Sequence, residues 1–105
     1  MISVCVLYPR TESSRFDMDY YLNKHMPMAS KVLGSALTGV TVEAGIAGTE
    51  PGSPPANAVV CRLLFDSTET FLAAFGPHAA QLQGDIPNYT DIAPVIQINE
   101  VTMPR

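Results

Sequence analysis

Several residue types are scarce in this 105-residue chain, which has no tryptophan and only two cysteines and two histidines. Charged side chains make up 15% of it, against roughly 25% in an average domain. Acidic residues outnumber basic ones by ten to six, and the basic residues are scattered. Because a nucleic-acid surface needs clustered positive charge, we expect no nucleic-acid partner.

Long apolar runs are also missing. No run approaches the roughly 20 residues that a membrane span needs, and the first residues lack the features of a signal peptide. We therefore expect a cytoplasmic protein with no membrane partner. Cys5 and Cys61 lie in apolar runs without metal-ligand spacing, which predicts two reduced core thiols and no metal. Because phosphate-binding glycine motifs and a serine nucleophile elbow are absent too, we expect no cofactor.

The order of the predicted elements indicates the fold. The length suits one domain over residues 1–105. Apolar, β-branched composition predicts four strands, over residues 2–8, 36–46, 57–65 and 95–101, and the glycine- and proline-rich residues 47–56 form a long hairpin loop. With a helical segment after the first and third strands, the order is βαββαβ. This order predicts an α+β, ferredoxin-like fold with a four-stranded antiparallel sheet.

Prolines interrupt both predicted helices. Asp17 is the expected N-cap of the first helix and Gly34 its stop, but Pro27 predicts a kink or a break near His25. The apolar stripe of this helix is Met18, Tyr21, Leu22, His25, Met28, Ala29 and Val32.

The second helix is expected to open at a capping box of Asp66 and Glu69, to be interrupted at Gly76 and Pro77, and to close at Gly84. Its predicted inward residues are Phe71, Leu72, Ala74, Phe75, Ala79 and Leu82.

The first and third strands are apolar on both faces, and this pattern predicts that the sheet is covered on both sides. Two helices cover only one face of a four-stranded sheet, so we expect a second copy of the chain to cover the other. A homodimer of this kind encloses space for a small ligand, although a tightly packed core without a pocket is also compatible with the pattern.

The most informative motif lies in RFDMDYYLNKHMPM, from Arg15 to Met28. Its pattern F-x-x-x-Y-Y-x-x-x-H-x-P resembles the signature of the EthD family. The stretch from Asp85 to Val101 is similar to the closing segment of that family, so the resemblance covers nearly the whole chain. The matched motif residues are Phe16, Tyr20, Tyr21, His25 and Pro27.

The resemblance implies a dimeric α/β barrel and leaves the activity open. The family takes its name from ethyl tert-butyl ether degradation, where its member accompanies a cytochrome P450 system. Similar fungal domains are thought to be dehydratases, and wider relatives include lactone isomerases and cofactor-free monooxygenases. One expectation is therefore an enzyme that binds an apolar or aromatic compound for dehydration, isomerisation or cofactor-free oxidation. The other is a non-catalytic accessory or carrier protein for an oxygenase.

His25 is the first candidate for catalysis, as a general base, with Tyr21 on the same helix face. Adjacent helical residues point about 100° apart, so Tyr20 is not expected to share a pocket with Tyr21. A structural alternative is also open, in which His25 only donates to a carbonyl that Pro27 frees.

The further pocket candidates are apolar residues of the predicted helices and polar residues of the predicted strands and turns. For Tyr89 and Asp91 ordinary turn chemistry is the alternative, and for Arg62 an ion pair with Glu43. These pocket candidates are Met18, Met28, Phe75, Tyr89, Asp91, Arg62 and Gln97.

Overall fold

The computed structural model describes residues 1–103. The strands are β1 (Ile2–Pro9), β2 (Gly39–Ala44), β3 (Asn57–Phe65) and β4 (Val95–Glu100). The α-helices are α1 (Met18–Tyr20), α2 (Met26–Leu33), α3 (Thr68–Phe75) and α4 (Ala79–Gly84). A π-helical segment, Tyr21–His25, joins α1 to α2, and 3₁₀ turns occupy Gly34–Ala36, Gly76–His78 and Ile86–Asn88.

The sheet has the order β2-β3-β1-β4, and every neighbouring pair is antiparallel. This arrangement confirms the predicted ferredoxin-like fold. β1 is a central strand, because it pairs with β3 on one side and β4 on the other. The apolar side chains on both faces of β1 reflect that central position.

Both helical layers lie on one face of the sheet. The side chains of Val4, Val6 and Tyr8 alternate with those of Cys5 and Leu7, so the first set faces the helices and the second faces away. The core beneath the helices has two parts. An aromatic part includes Tyr8, Tyr21, Val59, Cys61 and Tyr89, and an aliphatic and phenylalanine part includes Ile2, Val4, Leu33, Phe65 and Phe71.

The two cysteines are free and buried, as predicted, but on opposite faces of the sheet. Cys61 belongs to the core under the helices. Cys5 lies on the other face, where Arg62 Nη1 and Asn99 Nδ2 each donate a hydrogen bond to its Sγ at a distance of 3.3 Å. Polar neighbours rather than apolar packing therefore cover Cys5.

The first helical region begins where predicted, because the Asp17 side chain accepts a hydrogen bond from the Tyr20 backbone N–H. The expected interruption takes the form of the π-helical segment, in which the Met26 N–H donates to the Tyr21 carbonyl. Pro27 has no N–H to donate to the carbonyl four residues earlier, which explains why α-helical bonding fails at this point.

The extra residue in the π-helical segment changes which side chains face inward. Leu22 and Met28 were predicted to do so, but Leu22 is 47% exposed, and Met26 takes the buried position next to His25. The stripe was predicted with α-helical spacing throughout, whereas one π-helical turn displaces every later residue by one position. The buried residues are Tyr21, His25, Met26, Ala29 and Leu33.

The second helical region begins one residue later than predicted. Ser67, not Asp66, is the N-cap, and its Oγ accepts from the Thr70 N–H at 3.1 Å. The 3₁₀ turn Gly76–His78 interrupts the helix where Pro77 predicted it. Leu72, expected to face inward, is 54% exposed.

β2 is shorter than the predicted 36–46, because residues 34–36 form a 3₁₀ turn. Gly34 ends α2 with a φ of 61°, a conformation that favours glycine. β3 has its predicted bounds, β4 ends one residue early, and the 47–56 loop joins β2 to β3 as expected. Among residues 1–103, no helix is long and apolar enough to cross a membrane.

Candidate functional site

His25 and Asp85 form a hydrogen-bonded pair at the centre of the site. His25 ends the π-helical segment and is 8% exposed, and its Nδ1 lies 2.9 Å from Asp85 Oδ2. An ionised carboxylate only accepts hydrogen bonds, so Nδ1 carries the hydrogen and, in the neutral ring, Nε2 keeps its lone pair. The suggested carbonyl partner of His25 is therefore wrong, because its partner is a carboxylate.

Asp85 lies between α4 and the 3₁₀ turn Ile86–Asn88, and two further side chains hold it. Its Oδ1 accepts from the Tyr20 hydroxyl at 2.7 Å and from Asn88 Nδ2 at 2.9 Å. Partial burial raises the pKa of Asp85, but the hydrogen bonds from Asn88, Tyr20 and His25 outweigh it and lower the pKa overall. Asp85 is thus held ionised beside the imidazole.

The second ring nitrogen of His25, Nε2, is left free by the bond to Asp85. Nε2 has no hydrogen-bond partner in the described part of the chain, and that part contains no fully buried side-chain nitrogen or oxygen without a partner. Nε2 therefore keeps accessible surface although the residue is mostly buried. His25 is also one of the residues that line a cavity.

The cavity measures about 210 Å³ and lies between the sheet and the helices. No Lys, Arg, Asp or Glu is among its lining residues. Its walls are aromatic and aliphatic, and the polar groups at its surface come from histidine, tyrosine, cysteine and Gln83. The lining residues include Tyr21, His25, Cys61, Phe71, Phe75 and Tyr89.

Tyrosine rings surround His25. Tyr21 stacks on the imidazole with ring centres 5.4 Å apart, and the fully buried Tyr89 ring lies 4.7 Å from it. The hydroxyls of Tyr8 and Tyr89 share a hydrogen bond of 2.7 Å. Burial raises the pKa of Tyr21 and of Tyr89 far above the ordinary value. Both hydroxyls are therefore neutral.

One flank of the cavity is open. Leu72 on α3 and Ile96 on the edge strand β4 both line it, yet they are 54% and 47% exposed. A cavity wall that also contacts solvent marks an opening, so the cavity opens to solvent between α3 and β4.

The structure brings four of the predicted site residues together at this cavity: Tyr21, His25, Phe75 and Tyr89. As expected for adjacent helical positions, Tyr20 points elsewhere and reaches Asp85. Met18 and Met28 do not line the cavity. Met18 packs against the aromatic core from its edge, and the π-helical segment gives the place expected for Met28 to Met26.

The polar candidates lie away from the cavity. Arg62 and Gln97 are next to Cys5 in strand register and so project from the opposite face. Arg62 Nε is 3.8 Å from Glu43 Oε1, the suggested alternative pairing, and Gln97 Nε2 donates to Asn99 Oδ1 at 2.6 Å. Asp91 Oδ1 accepts from the Arg15 N–H at 2.8 Å and so ties down a loop.

Asp85 and Met26 are among the residues at the site that were not predicted. Asp85 was noted only as the first residue of the segment similar to the closing segment of the EthD family, and nothing in the local sequence relates it to a histidine 60 positions away. The position of Met26 follows from the hydrogen bonding before Pro27, which the proline signals only in part.

Together, these features define a ferredoxin-like protein with an apolar cavity and a histidine–carboxylate pair on its wall. The family model described as EthD domain matches residues 10–93. The chain therefore belongs to the EthD family. A comparison with curated proteins gives no significant match.

Solved structures with the same fold include members of this family. An EthD-like protein from Ralstonia eutropha JMP134 is 53% identical, with 99% of this chain and 94% of that chain covered and a TM-score of 0.94. An ethyl tert-butyl ether degradation family protein from Bacillus halodurans C-125 is 21% identical, with coverages of 95% and 97% and a TM-score of 0.62. HapK from Hahella chejuensis is 12% identical, with coverages of 98% and 94% and a TM-score of 0.56. The last two likenesses show a shared fold.

Proposed function

We propose that this EthD-family protein binds a small apolar or aromatic compound in the cavity and that His25 acts there as a general base. One observation carries the proposal: His25, whose Nδ1 donates to the Asp85 carboxylate, is among the residues that line the apolar cavity, and its Nε2 has no partner in the described part of the chain. A base needs a free lone pair and a fixed orientation, and this arrangement supplies both.

The chemistry that the arrangement supports is the transfer of one proton. Nε2 accepts the proton from an activated C–H or O–H group, and Asp85 stabilises the resulting imidazolium through the 2.9 Å hydrogen bond. Returning the proton to a different carbon completes an isomerisation, and giving it to a departing hydroxyl group releases water and completes a dehydration. Tyr21 lines the same cavity, and burial keeps its hydroxyl neutral, the form that a hydrogen-bond donor to a substrate oxygen requires.

Exchange of hydrogen for deuterium tests this function without knowledge of the natural substrate. Phenylacetone has acidic α-hydrogens and a single aromatic ring, and NMR in deuterated buffer follows their loss. The wild-type protein is expected to accelerate the exchange, and His25→Ala to lower the protein-catalysed rate at least about 100-fold, as is typical for loss of a general base. His78→Ala is the matched control and should exchange like the wild type. An unchanged rate in His25→Ala would remove His25 from the reaction.

A second candidate is a non-catalytic carrier or accessory protein, such as one that supports a cytochrome P450-type oxygenase. The open flank at Leu72 and Ile96 favours it, because an apolar entrance eases both loading and release of an apolar compound. The carrier function predicts that phenylacetone binds to the wild type and to His25→Ala with the same affinity, and that neither protein accelerates exchange.

A homodimer formed through the outer face of the sheet is also part of the proposal. Leu7 pairs in register with Val60 and Val95, so an apolar row crosses three strands on the face without helices. The neighbouring Arg62 and Glu43 add one charge of each sign. A patch with both charges is compatible with a two-fold related copy of itself, which favours a second copy of this chain as the covering partner.

A further inference from the structure

We propose that the cavity selects uncharged ligands that carry a hydroxyl donor, with single-ring phenols as the chemical class, and that it rejects anions. This inference rests on the proposed function only in taking the cavity as the ligand site. It does not depend on any reaction there.

The charge of the site excludes anions. No lysine or arginine is among the cavity's lining residues. The Asp85 carboxylate is hydrogen-bonded to the cavity-lining His25, and its two other partners, Tyr20 and Asn88, are neutral. With a neutral imidazole, the cluster therefore has one negative charge. An entering carboxylate would lose its hydration, find no cation and face this charge, whereas a neutral ligand avoids all three costs.

The hydrogen-bonding groups favour a ligand that donates. The hydroxyls of Tyr8 and Tyr89 bond to each other, so they have less capacity to spare. His25 Nε2 has no partner among the described residues and is an acceptor in the neutral ring. A ligand hydroxyl satisfies this nitrogen. An ether of the same shape displaces water from it without replacing the hydrogen bond, which costs affinity.

The volume and the walls favour one aromatic ring. An apolar cavity of about 150 Å³ is sufficient to bind benzene, so the 210 Å³ available here holds a ring with a small substituent. Phe71, Phe75 and Tyr89 line the space with aromatic edges and faces. Larger substituents have room only at the open flank beside Leu72 and Ile96.

Calorimetric titration at pH 7.5 with three compounds of matched shape tests the proposal. These are p-cresol, which is a neutral phenol, 4-methylanisole, which lacks the hydroxyl donor, and p-toluate, which is an anion. We expect p-cresol to bind at least about tenfold more tightly than 4-methylanisole, a ratio that one good hydrogen bond supplies. We expect p-toluate to bind at least about 100-fold more weakly than p-cresol.

Two variants test the assigned causes separately. His25→Leu removes the acceptor and should lower p-cresol affinity to that of 4-methylanisole, while His78→Leu should retain the wild-type ratio. Leu72→Arg places a cation at the exposed edge of the cavity and should raise p-toluate affinity at least about tenfold. Because Leu72 is 54% exposed, this variant tests the charge argument even if the buried His25 substitution prevents folding.

The outcomes distinguish this inference from the proposed function. If all three compounds bind equally well, the cavity is a ligand site but the selectivity is overturned. If p-toluate binds as tightly as p-cresol, the charge argument fails, and if 4-methylanisole does so, the hydroxyl argument fails. If none of the three binds, the inference and the binding part of the proposed function fail together.

Discussion

The imidazole of His25 and the carboxylate of Asp85 are 2.9 Å apart, although 60 positions separate them in the chain. Two tyrosines that are adjacent in the sequence each contact a different member of this pair. Tyr20 donates to Asp85 at 2.7 Å, whereas Tyr21 stacks on His25 and forms part of the cavity wall. The adjacent tyrosines of the family motif therefore have separate tasks, one holding the carboxylate and one shaping the cavity.

Replacing Asp85 should destabilise the fold. Asp85→Ala leaves three donors, from Tyr20, His25 and Asn88, without their acceptor, and we expect a loss of about 1–3 kcal/mol in the free energy of unfolding. Urea denaturation followed by circular dichroism measures it. Asp91→Ala is the control, because that exposed carboxylate accepts one backbone N–H and its loss should cost less. Equal losses in the two variants would contradict this role for Asp85.

The stability that Asp85 contributes should depend on pH in the acid range. The folded-state pKa of Asp85 is lowered, so its contribution is complete above the unfolded value of about 3.9 and is lost as the pH falls through the lower folded value. The difference in unfolding free energy between wild type and Asp85→Asn should thus shrink as the pH falls below about 4.

Carbon NMR of the Asp85 carboxyl tests the same shift directly. The wild-type midpoint should lie below the unfolded value, and Tyr20→Phe, which removes one hydrogen bond to the carboxylate, should raise it. A wild-type midpoint at or above about 4 would mean that burial outweighs the hydrogen bonds.

The buried tyrosine pair should show energetic coupling. Tyr8 and Tyr89 share a 2.7 Å hydrogen bond, so Tyr8→Phe or Tyr89→Phe leaves one buried hydroxyl without that partner at a cost of about 1–2 kcal/mol. The double variant removes both hydroxyls and should cost less than the sum by at least about 0.5 kcal/mol. A double-mutant cycle by urea denaturation gives this value, and exact additivity would show that the contact contributes nothing.

The outer face of the sheet should be a dimer interface. Light scattering at micromolar concentration is expected to give twice the chain mass. Val60→Lys places a charge in the apolar row with Leu7 and should weaken dimerisation at least about tenfold. Ile46→Lys, in the β2–β3 loop at a highly exposed position, is the matched control and should remain dimeric. A wild-type protein that stays monomeric at all concentrations tested would exclude this assembly.

Local signals predicted most of the fold. β3 has its predicted bounds, Asp17 caps the first helix, and Pro27 and Pro77 interrupt the helices where they should. Each of these features depends on a few consecutive residues, through strand composition, a side-chain cap or a missing N–H donor. One error arose because two adjacent residues, Asp66 and Ser67, can both act as the N-cap of the second helical region, and Ser67 does so.

The site was predictable only in part, for a different reason. His25 and Tyr21 were candidates from residue chemistry and from the motif, and both line the cavity. Arg62 and Gln97 were candidates because they interrupt apolar strands, but their strand register turns them to the face away from the cavity. A residue type shows what chemistry is available, whereas pairing register decides which face receives it.

The linear order of residues was sufficient to indicate the βαββαβ order, through its apolar, polar, glycine and proline pattern, and to draw attention to His25, through the motif, because these signals act over a few residues. It did not specify the partner of His25 or the direction in which its ring nitrogens point. Those properties depend on the contact between the π-helical segment and the turn after α4, which only chain folding brings together. The same contact makes Asp85 the acceptor for three side chains and leaves Nε2 of the cavity-lining His25 without a partner among the described residues.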